Sequence, residues 1–366
     1  MQLDSRKHKL FKNYDYQNSP AYSVLDIQGN VLDKEAASAF NDQELLKIYG
    51  WMLKIRMADQ KFINMQRQGK MGTYLSVKGQ EACQVGATFL LNKDDWLVPA
   101  FRESGMMQIM GVELSKLLLY WMGSEKGSQV PDNVNVLPIS ICVGSHIPHA
   151  AGIGWAERLK MGRKITVCSF GDGATSEGDF HAGLNFASLY NSKTIFFCQN
   201  NQFAISTPRS KQTKAKTLAQ KAISYDMPHI QVDGNDILAV LTVMKEAIDL
   251  SRNQNTASFI EAVTYRLEDH STSDSADLYQ NPKDFEQAQA ADPLKRIEVF
   301  LRKKSVLTDE IKQNIEKKAQ IQIEEQVVKA SREMDPAADD MFTYLLSETY
   351  PELEKQRTEL LNHINT

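Results

Sequence analysis

No run in this 366-residue sequence approaches the ~20 consecutive apolar residues that a membrane-spanning helix needs, so no membrane span is expected. There is no basic excess either. Forty-two Lys+Arg face 46 Asp+Glu for a net charge of −4, which argues against nucleic acid or an anionic membrane as the main partner. Cysteine is scarce. Cys83, Cys142, Cys168 and Cys198 form no C-x-x-C pair, which excludes a zinc ribbon and a dithiol redox motif. Cys168 and Cys198 lie in apolar runs and read as small buried hydrophobes in a reducing compartment. The first thirty residues mix Asp4, Arg6, Lys7, Lys9, Lys12 and Asp15 and lack the apolar core of a signal peptide, so a cytoplasmic location is expected. A Walker lysine motif is missing, as is a G-x-G-x-x-G followed by a suitably placed acid. This counts against a nucleotide- or phosphate-binding subunit without catalysis, the reading from a different functional class.

What is present is an alternation of apolar strands and amphipathic helices. Residues 1–40 read as a polar, irregular N-terminal extension, with a small hairpin around Gly29-Asn30. From Asn41 the spacing of Leu45, Ile48, Met52 and Ile55 predicts a helix to about Gln68, bracketed by Gly69 and Gly72. Gly79-Gln80-Glu81-Ala82 opens another helix, and Asp95–Pro99 reads as a short buried strand. Further strands are expected at 165–170, 194–198, 230–232 and 258–263, with helices at 180–190 and 237–250 between them. The pattern implies an α/β fold, a mostly parallel sheet covered by helices on both faces. The α/β domain is assigned to residues 41–290, and 291–366 reads as a helical C-terminal segment on the same domain or a partner, opened by the Asp292-Pro293 cap. Two polar stretches, 123–137 and 269–287, read as loops, the first long enough to be functional.

The chemistry-bearing signal is Gly171-Asp172-Gly173-Ala174, directly after a central strand and before a helix. A diphosphate can approach a glycine backbone there, and helix N-terminal N–H groups stabilise its charge. Its second half is Gln199-Asn200-Asn201-Gln202-Phe203, at the end of the next strand. A strand–helix–strand unit of about 30 residues brings two such strand ends together. Asp172, Asn201 and the backbone carbonyl at Phe203 would then offer one ion a carboxylate, an amide and a carbonyl oxygen, a hard set suited to Mg²⁺.

The run from Gly171 to His181, completed by Gln199–Ser206, resembles the thiamine diphosphate motif of the 2-oxo acid dehydrogenase E1 α subunits. The likeness covers most of the chain, through Gly79–Ala82, Phe101-Arg102-Glu103, Val134–Pro138, Val232–Asp236 and His270–Asp274. It implies the thiamine diphosphate-binding fold, with Mg²⁺ on Asp172, Asn201 and the Phe203 carbonyl. Gly171, Gly173 and Ala174 would lie at the diphosphate, Phe101 beside it, and Arg102 would add positive charge. His270 would reach the diphosphate from its loop and take a catalytic part. The Ile141 and Val143 backbone would contact the aminopyrimidine ring. In the family the cofactor's ylid adds to the 2-oxo carbon, CO₂ leaves and the acyl group passes to a lipoyl group of E2. The resemblance also implies an E1 β subunit, in an α2β2 heterotetramer, which supplies the carboxylate for ylid formation. Pyruvate is the expected substrate, from the sequence around Val134–Pro138. The branched-chain type is second, from His270–Asp274, and acetoin cleavage third.

Two departures stand out. Phe101 replaces a tyrosine common in the family and loses its hydroxyl, and Gly123–Gly127 lacks a histidine that several relatives carry. Ser271-Thr272-Ser273 resembles a loop that mitochondrial relatives phosphorylate, but is read as a plain polar loop. His146 and His149 are read as core or interface residues, and Met106, Met107 and Met110 as core packing.

Overall fold

The computed structural model describes residues 9–334, 337–343 and 345–364. The expectations resting on Asp4, Arg6 and Lys7 lie outside the described residues. Five strands form one sheet: β1 (Trp96–Val98), β2 (Thr166–Gly171), β3 (Thr194–Asn200), β4 (His229–Asp233) and β5 (Ser258–Val263), in the order β1-β2-β3-β5-β4. Every pairing is parallel.

Because side chains alternate across a strand, one short run feeds two cores. Val167, Ile195, Phe197 and Ile260 point to one face, where they meet α1 (Asp42–Arg67), α2 (Glu81–Thr88), α5 (Ile237–Gln254) and α6 (Pro293–Lys303). Cys168, Phe170, Phe196, Cys198 and Phe259 point to the other, against α3 (His146–Leu159) and α4 (Gly178–Leu189). The three cysteines in the interior (Cys83, Cys168, Cys198) are free and buried. Helix α1 begins where its sequence predicts. The Asn41 side chain caps the Glu44 N–H and the Glu44 carboxylate reaches back to the Asn41 N–H. The methionines Met106, Met107 and Met110 are buried in the first core.

Both edges of the sheet carry one further backbone pairing. On β4, Tyr22 N–H donates to Gln231 O and Asp233 N–H to Tyr22 O, each at 3.0 Å. On β1, Leu97 N–H donates to Asn135 O at 2.9 Å and Leu137 N–H to Leu97 O at 3.0 Å. The 123–137 stretch therefore ends docked on β1. It also contains a short 3₁₀ turn, Glu125–Ser128.

The expected hairpin near the N-terminus is a tight turn closed by a single bridge between Leu25 and Val31. Gly29 sits there at φ +70°, with its missing Cβ 3.0 Å from Phe300 N, so both conformation and space call for glycine. The 269–287 stretch is only partly a loop, since Pro282–Ala290 is a helix capped by Asn281 with Pro at its first turn. Its lack of an apolar stripe hid it. Among the described residues, no helix is long and apolar enough to cross a membrane.

Candidate functional site

Strands β2 and β3 lie side by side with Gly171 opposite Gln199, so the segments after them leave the same end of the sheet together. That is where ligands bind in open parallel sheets. A cavity of about 510 Å³ opens there. Phe101, Arg102, Ile141, Val143, Gly171, Asp172, Gly173, Ala174, Asn201, Phe203 and His270 all line it. No residue between Trp121 and Ile141 does, so the 123–137 loop stands off the cavity.

After Gly171 the chain makes a 3₁₀ turn, Asp172–Ser176, before α4 begins at Gly178. The motif therefore presents N–H groups of that turn, one step removed from the helix start expected from the sequence. Thr175 Oγ1 donates to Asp172 O at 2.8 Å and Lys221 Nζ to Thr175 O at 2.7 Å, fixing the turn. A Cβ on Gly173 would stand 2.8 Å from Ala204 Cβ, so only glycine lets the two segments touch.

Asp172 is 1% exposed. Gln212 Nε2 donates to its Oδ2 at 2.5 Å, while among the described residues its Oδ1 has no partner, and neither does Gln212 Oε1. Burial, first, raises the Asp172 carboxyl above its usual range, against the hydrogen bond from Gln212 and the charge of Arg266. Two orphaned acceptor oxygens in one buried spot are what a cation would satisfy. Asn201 is buried beside them. Its Nδ2 donates to Gln80 Oε1 at 2.7 Å, and its Oδ1 accepts from Phe203 N–H at 3.3 Å. The backbone then turns sharply, with Gln202 at φ +76° and Ile205 at φ +54°. In the small ribbon that follows, Phe203 pairs with Pro208, which has no N–H to offer its carbonyl. No group of three or more His, Cys, Asp or Glu that could hold a metal occurs among the described residues. An ion here would rest on one carboxylate with amide and carbonyl oxygens, a magnesium-like set.

Across the cavity, the Arg102 guanidinium donates to Ser76 O, and its Nη2 to His270 O at 3.0 Å and toward His270 Nδ1 at 3.1 Å. A guanidinium only donates, so Nδ1 is the acceptor and the imidazole proton sits on Nε2. Burial and the charges of Arg102 and Arg266 push the His270 pKa down to about 3, keeping the ring neutral. Burial, then Arg266, lowers Arg102 to about 10. Phe101 stands edge-on to His270, ring centroids 6.0 Å apart, with the Arg102 guanidinium 5.7 Å over its ring.

Arg266 was not foreseen. It is fully buried and lines the cavity. Its Nη2 donates to Ile205 O at 2.8 Å and Tyr279 OH at 2.6 Å, its Nε to Glu268 O at 3.3 Å, and its Nη1 has no partner among the described residues. Both guanidiniums thus end on neutral acceptors, which leaves their charge for an anion. The only hint in the sequence was a lone arginine, Arg266, just past the last strand. Glu103, Gln80 and Gln199 also line the cavity. His146, read as a core or interface residue, is both buried and part of the cavity wall: Nε2 donates to Ser169 O at 2.9 Å, and Nδ1 has no partner among the described residues. His149 is exposed and bonds Ser145 O.

A family model described as dehydrogenase E1 component matches residues 49–339. The pyruvate dehydrogenase E1 component subunit alpha of Mycoplasma genitalium is 36% identical over 336 residues, covering 92% of this chain and 94% of that protein. The protein of the same name from Staphylococcus aureus is 35% identical, covering 92% and 90%. The 3-methyl-2-oxobutanoate dehydrogenase subunit alpha of Mycobacterium tuberculosis is 37% identical over 322 residues, covering 87% of each.

Proposed function

The chain belongs to the dehydrogenase E1 component family, and on that premise we propose that it is the α subunit of a thiamine diphosphate-dependent oxidoreductase that decarboxylates pyruvate and passes the acyl group to a lipoyl domain of E2. The observation that carries the reading is the pairing, in one cavity, of an orphaned carboxylate oxygen on Asp172 with two buried guanidiniums, Arg102 and Arg266, that end on neutral acceptors. A cation with a polyanion answers both ends of that charge distribution.

Asp172, Asn201 and the Phe203 carbonyl would hold Mg²⁺. Gly171, Gly173 and Ala174 let the backbone come close to the diphosphate, and Arg102 offsets its charge. His270, neutral with its proton on Nε2, acts as a hydrogen-bond donor and not as a cation. The Ile141 and Val143 backbone would carry the ring contacts. The bound cofactor supplies the nucleophilic carbon that attacks the 2-oxo group.

The chain is expected to work with an E1 β subunit, as an α2β2 heterotetramer in the cytoplasm. Ile141 and Val143 are exposed apolar residues at the cavity wall, which suits a cavity completed by another chain. The names of the Mycoplasma and Staphylococcus relatives favour pyruvate, while the Mycobacterium relative and the His270–Asp274 run favour a branched-chain 2-oxo acid. Turnover of pyruvate, 3-methyl-2-oxobutanoate and acetoin by the αβ assembly, with thiamine diphosphate and Mg²⁺, decides between them. Absence of pyruvate turnover beside activity on either of the others would overturn the assignment.

A further inference from the structure

Asn201 presents two chemically opposite ends, and only its oxygen is useful to a cation. We propose that a chain of buried amides, its polarity set through Gln84 and Gln199, determines which end faces the metal, with Gln80 as the positioning residue in contact with Asn201. The inference rests on the assignment of Asn201 to the metal site.

The polarity can be followed bond by bond. Glu103 is buried, and both of its oxygens are occupied by donors. Oε2 takes the Arg102 N–H at 2.8 Å, and Oε1 takes Ser169 Oγ at 3.0 Å and Gln199 Nε2 at 2.9 Å. The Gln199 amide turns its NH₂ toward Glu103 and its oxygen away, a polarity set by the Gln84 NH₂ that meets that oxygen. That oxygen accepts from Gln84 Nε2 at 3.0 Å and from Gln80 Nε2 at 3.2 Å. Gln84 is held in the same sense by the main chain, because Met106 N–H donates to its Oε1 and its Nε2 donates to Arg102 O, each at 3.2 Å.

With its NH₂ committed to Gln199, Gln80 has its oxygen left for Asn201, and the Asn201 NH₂ meets it at 2.7 Å. The Asn201 oxygen therefore points the other way, where its one partner among the described residues is the long contact from Phe203 N–H at 3.3 Å. Gln80, Gln84, Gln199 and Glu103 are each 2% exposed or less although three of them border the cavity, so these bonds are largely shielded from water. The two fixed ends are main-chain N–H groups that cannot accept, Met106 on Gln84 and Phe203 on Asn201, and they hold the direction of the chain.

The test is a double-mutant cycle between Gln80 and Asn201 in the αβ assembly. The readout is Mn²⁺ binding followed by electron paramagnetic resonance at saturating thiamine diphosphate. Q80M removes the acceptor at nearly constant volume and frees the Asn201 amide to turn. Mn²⁺ affinity should fall by about 10-fold or more, the usual loss when a group orienting a ligand is removed. N201D carries oxygen at both ends and has no orientation to lose, so Q80M added to N201D should cost less than about 2-fold beyond N201D alone. Q80E keeps the acceptor toward Asn201 and should bind Mn²⁺ at least within roughly 3-fold of wild type. If Q80M loses the same factor in both backgrounds, Gln80 is a packing residue and the inference is wrong. Q80M binding like wild type overturns it too. A wild-type assembly that binds thiamine diphosphate but no Mn²⁺ would instead remove the metal assignment on which it depends.

Discussion

Asp172→Asn should make the cofactor-free protein more stable while abolishing the response to cofactor. In the folded chain Asp172 Oδ1 and Gln212 Oε1 are both buried acceptors without donors, although Gln212 Nε2 already reaches Asp172 Oδ2. Asparagine keeps an acceptor for Gln212 Nε2 and adds an NH₂ that can donate to Gln212 Oε1, closing a two-bond amide pair. One substitution satisfies both orphans. An unsatisfied buried polar group costs ~1–3 kcal/mol, so a gain in that range is expected. At about 2.1 cal/mol/K of unfolding entropy per residue, 366 residues give about 0.77 kcal/mol/K, so each kcal/mol moves the Tm of this chain's own transition by about 1.3 °C. The predicted rise is therefore about 1–4 °C. The wild type should also gain about 2.7 kcal/mol, or about 3.5 °C, with cofactor at a hundred times its Kd, a shift that Asp172→Asn loses. Scanning calorimetry of the αβ assembly with and without thiamine diphosphate and Mg²⁺ measures both. A lower Tm for the cofactor-free variant, or a cofactor-induced shift as large as the wild type's, would refute the reasoning.

Three further outcomes are expected. Gly173→Ala places a Cβ 2.8 Å from Ala204 Cβ and should push back the ribbon carrying Phe203. Cofactor affinity should drop about 10-fold, from overpacking of roughly 1–3 kcal/mol, and Ala204→Gly in the same chain should recover most of it in a fluorescence titration. For His270 the folded pKa of about 3 lies below the ordinary imidazole value. Between those values the unfolded chain holds a proton that the folded one rejects, so this contribution is intact above about pH 6.5 and fades as pH falls. Arg102 and Arg266 oppose the proton and Asp274 favours it. His270→Gln should therefore flatten the decline in urea midpoint between pH 7 and pH 5, and an unchanged slope would contradict the neutral assignment. Finally, the α chain purified alone should show no decarboxylation of a 2-oxo acid, measured as CO₂ release, because the carboxylate expected from the β subunit is missing.

The strands and their parallel arrangement were legible because parallel strands buried on both faces are short, apolar and bounded by turn residues, as in Thr194–Asn200. The two halves of the cofactor motif were legible for the same reason, since each sits at the end of such a strand. The helix at 282–290 was not, because its sequence has cap and proline signals but no apolar stripe. Arg266 and Gln212 were not, because their significance lies in contacts with Tyr279 and Asp172 that no local pattern encodes. Loop 123–137 looked functional from its length and composition, yet its final residues are used as a pairing partner for β1. Gln80 was visible only as a member of a recognisable run. Its place between Gln199 and Asn201 depends on bonds spanning more than a hundred positions.

The bridges at Tyr22 and Val136 also bear on assembly. An exposed edge strand is a template on which another chain can add its own strand. Here Tyr22 occupies that template on β4 and Val136 on β1. A continuous sheet running from one subunit into the next is therefore interrupted at Tyr22 and at Val136. Association through helical and loop surfaces is favoured in proportion, and there side-chain shape and charge discriminate among partners far better than a row of peptide groups can. Deleting the segment through Tyr22 would unmask the β4 edge and turn a selective subunit into one prone to pairing with itself.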